Sequence, residues 1–182
     1  MSYLPSSPGP TNLPDVFEKY PERSALMLRL VDDILRGDSA LSVAERELIF
    51  AFGSAQNACD FCHASHRPVA AAFGIEESVL DDILADIDTA GVDDKLKPVL
   101  HFVKKLTLTP SRVTRADADA VFDAGWDERA FVDIVSICSV QNYFNRFVDG
   151  IGVDVSDEVA RRTGAEILPT IGYRGLAERL EN

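Results

Sequence analysis

SVAERELIFAFGSAQNACDFCHASH, residues 42–66, decides how this chain is read. Ser42 and Glu45 stand at the Ser-x-x-Glu spacing of a capping box, so a helix begins there. Ala44, Leu48, Ala51, Phe52 and Ala55 give that helix an apolar face, with Glu47 at the edge of the face. A second helix is expected over residues 60–72, with Asn57 as its N-cap and Cys59 in its first turn. A short turn at residues 56–58 folds the two helices against each other. No strand alternation longer than a few residues occurs elsewhere, so the expected fold class is all-α.

The second helix carries the chemistry. Cys59, Cys62 and His66 form Cys-x-x-Cys-x-x-x-His, and spacings of three and four bring them to one helical face. Two of the three cysteines and two of the three histidines lie in residues 59–66, a crowding that a purely structural role does not require. The thiolate is the reactive form, and a helix N-terminus or a nearby imidazolium favours it. The spacing offers a nucleophile, a resolving thiol and a base, a pair able to cycle between dithiol and disulfide. Three other readings compete. Zinc would take the two thiolates, the imidazole and a carboxylate, with His63 or His101 as further ligands. A static disulfide would close too short a loop to constrain much of the unfolded chain. Inert buried thiols are the third, and the polar neighbours Asp60, His63 and Ser65 argue against them. The redox reading is favoured, with no metal and no cofactor.

Outward from this stretch, residues 1–14 hold four of the nine prolines and read as an extended arm, frayed or packed on a neighbouring subunit. A short helix follows over residues 14–19. Pro21 opens an amphipathic helix with Leu26, Leu30 and Ile34 beside Met27, Val31 and Leu35, which Gly37 ends. Pro68 is expected to kink or interrupt the cysteine helix. Residues 76–86 read as a helix with Val79, Ile83 and Leu84 inward. Asp93 or Asp94 caps another with Leu96, Val99, Leu100, Val103 and Leu106, and His101 falls off that stripe. Thr114 and Asp117 form a second capping box. Asp127 then caps a segment reaching Val148 that is apolar nearly all round, which implies burial inside the fold or at a subunit contact. Cys138 belongs to that core, and Arg146 there needs a partner. Residues 153–182 are more polar, with helices near 157–162 and 175–180 that wrap a neighbour or lie on the surface. Ser54-Ala55-Gln56-Asn57 is echoed by Ser139-Val140-Gln141-Asn142, a faint trace of duplication.

The 182 residues are 46% hydrophobic and 26% charged, which suits a single domain with a real core. A net charge of −12 disfavours nucleic acid and anionic membranes as partners. No apolar run is long enough to span a bilayer, and no basic stretch leads into an apolar one at the N-terminus. A cytoplasmic location is expected, where Cys-x-x-Cys is redox-active or metal-binding.

Glu47, twelve residues ahead of Cys59, completes a pattern that resembles the signature of the alkylhydroperoxidase D (AhpD-like) family in the carboxymuconolactone decarboxylase-like superfamily. The stretch from Gly125 to Val153, with Gln141, Asn142, Asn145, Arg146 and Asp149-Gly150, resembles its peroxidase-related subgroup. The resemblance spans about residues 21–153. It implies a single oligomeric all-α domain over residues 1–182, with the core at 21–153, an arm at 1–14 and a helical tail at 154–182. It also implies a thiol peroxidase. Cys62 would attack the peroxide, Cys59 would resolve the sulfenic acid to a disulfide, and His66 and Glu47 would relay protons. The implied partners are a small hydroperoxide, a thiol or dithiol reductant protein, and further copies of the chain as a dimer, trimer or hexamer. Well-known members carry a histidine between the cysteines where this chain has Phe61. The rival readings are a disulfide reductase, a decarboxylase-type enzyme of the same superfamily, a non-enzymatic redox sensor and a zinc-stabilised interaction protein.

Overall fold

A computed structural model describes residues 2–154 and 156–181. Among these residues the chain forms α-helices and one short 3₁₀ turn, with no strand. The order is α1 (Leu13–Lys19), α2 (Pro21–Arg36), α3 (Val43–Gln56), α4 (Asp60–Ala72), α5 (Glu77–Ala85), α6 (Leu96–Leu108), the turn Pro110–Arg112, α7 (Arg115–Asp123), α8 (Glu128–Ile151) and α9 (Asp157–Glu181). The all-α expectation holds.

Local chemistry sets most of the boundaries. Capping boxes open α1 at Asn12, α3 at Ser42 and α7 at Thr114, and the Asp127 carboxylate caps α8. Asn57 is not the N-cap of the cysteine helix. It ends α3, and Cys59 itself occupies the N-cap of α4. The intervening Ala58 turns the chain with φ 54, a left-handed conformation that costs an alanine roughly 1–2 kcal/mol. Helix α4 runs through Pro68 without a break.

Helix α3 is the axle of the fold and packs against α4, α8, α6 and α5. Ten of its residues, from Ala44 to Ser54, are buried, including the charged Arg46 and Glu47. One terminal guanidinium nitrogen of Arg46 donates to the carbonyl oxygens of Ile34 and Gly37 at 3.2 and 2.8 Å, which ties α3 to the end of α2. The all-round burial expected of α8 therefore belongs to α3. Helix α8 buries Ile134, Ile137 and Val148 but exposes Val132, Tyr143 and Arg146. Among the described residues Arg146 forms no salt bridge; it donates to the Asn142 backbone and side-chain oxygens. Two other faces also differ from expectation. In α2 the core face is Leu28, Val31 and Leu35, with Leu26 and Leu30 exposed; in α5, Leu80 rather than Leu84 faces inward.

Both ends of the chain fold back onto it. The arm bonds the end of α8 through Tyr3 N–H to Ile151 O (2.8 Å) and Asp154 N–H to Thr11 O (3.1 Å). The polar tail is one long segment, α9, packed on α4 and α2. Its two halves meet at Gly172, with φ 67 and ψ −175, a conformation essentially closed to other residues. Gly164 lies so close to α4 that a Cβ there would meet the Ser65 carbonyl oxygen at 1.9 Å. Helix α9 lies on the surface of the fold, as one of the two expectations had it, with Ala160, Gly164, Tyr173 and Ala177 buried.

Candidate active site

Four helices converge on the Glu47 carboxylate, whose side chain is fully buried. The Arg36 guanidinium from α2 pairs with Oε1 at 2.6 Å. His66 Nδ1 from α4 lies 2.6 Å from Oε2. The Tyr173 hydroxyl from α9 donates to Oε1 at 2.9 Å. Arg36 is itself flanked by the rings of Phe73 and Tyr173, at 5.1 and 5.0 Å. His66 stacks on Phe50 with centroids 3.8 Å apart.

Burial alone would push the Glu47 carboxyl up, but the His66 ring and the Arg36 guanidinium outweigh it and hold Glu47 below the usual range. Glu47 therefore stays ionised and orients its neighbours. A carboxylate facing Nδ1 fixes the proton there, which leaves Nε2 of the neutral ring with its lone pair as the basic atom.

A cavity of about 220 Å³ opens beside this cluster. Glu18, Cys62, Ser65, His66, Thr163, Tyr173 and Arg179 supply its polar lining, and the rest is apolar, including Phe50, Phe61, Ile167 and Leu176. Cys62 touches the cavity; Cys59 does not line it. Both thiols are free and buried, with Cys59 0% and Cys62 4% exposed. The partial exposure expected from their polar neighbours is not observed, because α8 and α9 cover the turn.

Burial also reverses the expected electrostatics of Cys62. It drives the thiol well above its ordinary pKa, and the adjacent Cys59, within hydrogen-bonding reach, raises it further; a hydrogen bond from Asn145 opposes the shift. Burial thus favours the neutral thiol of Cys62.

Asn145 belongs to a buried amide network behind the cysteines. Asn57 donates to Asn145 Oδ1 (2.8 Å) and Asn142 Oδ1 (3.0 Å), and Asn145 donates to Ser54 Oγ (3.0 Å). Gln141 donates to the same Asn145 oxygen. The two echoed segments face each other across α3 and α8.

Among the sequence-predicted site residues, Glu47 and His66 are in direct contact, and Cys62 and His66 share the cavity wall. Arg36 and Tyr173 were missed. His63 bonds the Ala51 carbonyl at 3.3 Å on another face, and His101 pairs with Asp88 at 2.8 Å on the surface. Cys138 is buried beside Thr107. Among the described residues no three His, Cys, Asp or Glu side chains are arranged to hold a metal ion.

Fold and site together define an all-α dithiol protein with a carboxylate–imidazole pair beside an apolar chamber. Residues 21–105, which include Glu47, both motif cysteines and His66, match the model of the carboxymuconolactone decarboxylase family. A structure of an alkylhydroperoxidase AhpD core, an uncharacterized peroxidase-related protein from Ralstonia eutropha JMP134, aligns with TM-score 0.73 and 23% identity over 82% of this chain and 78% of that one. An uncharacterized peroxidase-related protein from Silicibacter sp. TM1040 aligns with TM-score 0.67 and 22% identity over 83% of this chain and 90% of that one. Over residues 21–105 the chain is similar to the carboxymuconolactone decarboxylase family, and its all-α fold is similar to those of these two peroxidase-related proteins. No curated protein gives a significant match.

Proposed function

We propose that the protein is a thiol-dependent peroxidase that reduces hydroperoxides through Cys62 and Cys59. The observation that carries this reading is the shared wall: Cys62 and His66 border one chamber, and Glu47 fixes the His66 tautomer. His66 Nε2 takes the proton of Cys62, whose neutral thiol burial favours. The thiolate attacks the terminal oxygen of R–O–O–H. The O–O bond breaks, both its electrons leave with the alkoxide, and the imidazolium returns the proton to give R–OH. Cys62 is now a sulfenic acid. Cys59 attacks that sulfur, hydroxide leaves and is protonated to water, and a Cys59–Cys62 disulfide results. A dithiol donor reduces it by thiol exchange.

Phe61 contributes apolar wall where the resembling family has a further histidine, so the relay runs through His66 alone. Glu47 acts as a fixed anion that stabilises the imidazolium. The cysteine pair counts against a lactone decarboxylase. A reducing compartment, the cytoplasm, suits a dithiol that must be recycled. For a homo-oligomer, the supporting feature is a groove between α2 and α8 lined by the exposed Leu26, Leu30 and Tyr143; light scattering tests it.

The deciding experiment is thiol titration before and after stoichiometric peroxide, with the modified cysteines mapped. Two thiols should be lost as one Cys59–Cys62 disulfide. Cys62→Ser should reduce peroxide consumption to background, and Cys59→Ser should trap the sulfenic acid. Full turnover in Cys62→Ser would refute the assignment.

A further inference from the structure

Helix α9 breaks at Gly172 and resumes at Tyr173, the residue whose hydroxyl reaches Glu47. A helix that restarts leaves its first N–H groups without partners inside it. An N-cap side chain ordinarily accepts from the second or third of them. Gly172 stands in the cap position and has no side chain to do so. The acceptor comes from α2 instead. Asp32 Oδ1 accepts from the Arg174 N–H, the second of the series, at 3.0 Å, and lies 3.7 Å from where a Cβ on Gly172 would be. Asp32 is only 9% exposed, an unusual setting for a carboxylate, and its negative charge suits a helix N-terminus. One turn further along α2, Arg36 pairs with Glu47 and lies 5.0 Å from the Tyr173 ring. Residues four apart share a helix face, so one face of α2 grips both the restart of α9 and the carboxylate that Tyr173 reaches.

We propose that Asp32 is a positioning residue, a cap lent by α2 to the restarted helix, which holds the Tyr173 hydroxyl on Glu47 and so keeps the Glu47–His66 pair aligned for Cys62. Arg36 and Tyr173 both engage Oε1 of Glu47, which leaves Oε2 facing His66. Tyr173 is the first residue after the break, so loss of the cap displaces it before the rest of the helix. Small misplacements at such a contact are enough to slow a reaction. The Arg174 side chain also lies near Asp32, with Nε 3.3 Å from Oδ2, but it is largely exposed; the backbone bond is the one that fixes the restart. Asp32 touches no reacting atom and transfers no proton.

This role rests on the proposed function, in which His66 is the base for Cys62, and two readouts keep them apart. Alkylation of Cys62 by iodoacetamide, with the modified thiol mapped by mass, needs no peroxide. Steady-state kcat/KM with an organic hydroperoxide and a dithiol reductant is the second. Both are measured where circular dichroism shows each variant folded. Tyr173→Phe and Asp32→Ala should each lower both rates about tenfold, the worth of one hydrogen bond to a charged group. The double variant should fall no further than the slower single one, because both changes remove the same contact. Asp32→Asn should stay within about twofold of the intact protein, since asparagine caps as well as aspartate. Arg174→Ala removes only the side-chain pair and should also leave both rates unchanged. If Asp32→Ala does not fold, Asp32→Glu, which keeps the charge but lengthens the arm, takes its place with the same expectation. An Asp32→Ala protein that loses stability yet keeps both rates would overturn the proposal. So would effects that multiply in the double variant, an Asp32→Asn as slow as Asp32→Ala, or a Tyr173→Phe that changes neither rate. The expected alkylation pattern in a protein that consumes no peroxide would remove the peroxidase reading and leave the role of Asp32 standing.

Discussion

The α3–α4 hairpin and helix α9 supply the same cluster by different routes. Glu47 and His66 are 19 residues apart and meet because two helices fold back at a three-residue turn. Tyr173 reaches Glu47 from 126 residues away. The hairpin is held by buried apolar contacts on nearly every side of α3. Helix α9 buries Ala160, Gly164, Tyr173 and Ala177, packs Leu168, Leu176 and Leu180 against the core, and adds the exposed ion pair Arg29–Glu181. Exposed pairs of that kind contribute less than about 1 kcal/mol each. The difference teaches a division of labour: on the proposed function the hairpin carries the chemistry, while α9 lines the chamber with Thr163, Ile167 and Tyr173.

If that division is right, damage should be graded. The largest effect belongs to the hairpin. His66→Gln should lower kcat/KM about 10²- to 10⁴-fold, and steady-state kinetics with an organic hydroperoxide will measure it. A loss under tenfold would break the contrast.

Glu47→Gln comes next, and it falls on stability as well as rate. The substitution leaves Arg36 without its buried partner, at a cost of about 3 kcal/mol, readable by urea denaturation. The pH dependence has a definite sign. Because the folded Glu47 pKa lies below its ordinary value of 4.5, its contribution is present above that pH and is lost as pH falls below it. The stability gap between the original protein and Glu47→Gln should therefore close in acid. A constant gap would mean that Glu47 does not titrate with folding.

On the α9 side the effect should be smaller. Tyr173→Phe removes one hydrogen bond to a carboxylate that keeps two other partners, costing about 1.5 kcal/mol. The rate should fall by less than in His66→Gln. A larger fall would make Tyr173 part of the chemistry and overturn the ranking. Smallest of all, Ala58→Gly relieves the left-handed turn and should stabilise the hairpin by about 1 kcal/mol, visible as a rise in the denaturation midpoint. Destabilisation there would show that the turn carries no strain.

The same contrast explains what could be read from residues alone. Capping boxes, the cysteine spacing and Glu47 are local patterns, and each encodes its own geometry. Arg36 and Tyr173 carried no such signal. Arg36 closes an amphipathic helix, where a basic residue is ordinary, and Tyr173 sits in a polar segment with no apolar stripe. Gly172 beside it was the available hint, since a glycine inside a helical stretch marks a break. Burial of the cysteines was also illegible, because α8 and α9, distant in sequence, cover them. The apolar run of α8 misled for the opposite reason: long-range packing decided which of its sides faced the core.

One consequence of the sealed Cys59 sulfur is kinetic. Of the two thiols Cys62 alone lines the chamber, so under the proposed peroxidase mechanism oxidant and reductant would use a single doorway in alternation. Under that mechanism the electron donor would strike the Cys62 side of the disulfide, and a crowding excess of either reactant should block the other. Parallel double-reciprocal lines, with mutual inhibition at high concentration, are the ping-pong signature of that turnstile; intersecting lines would require a second way in.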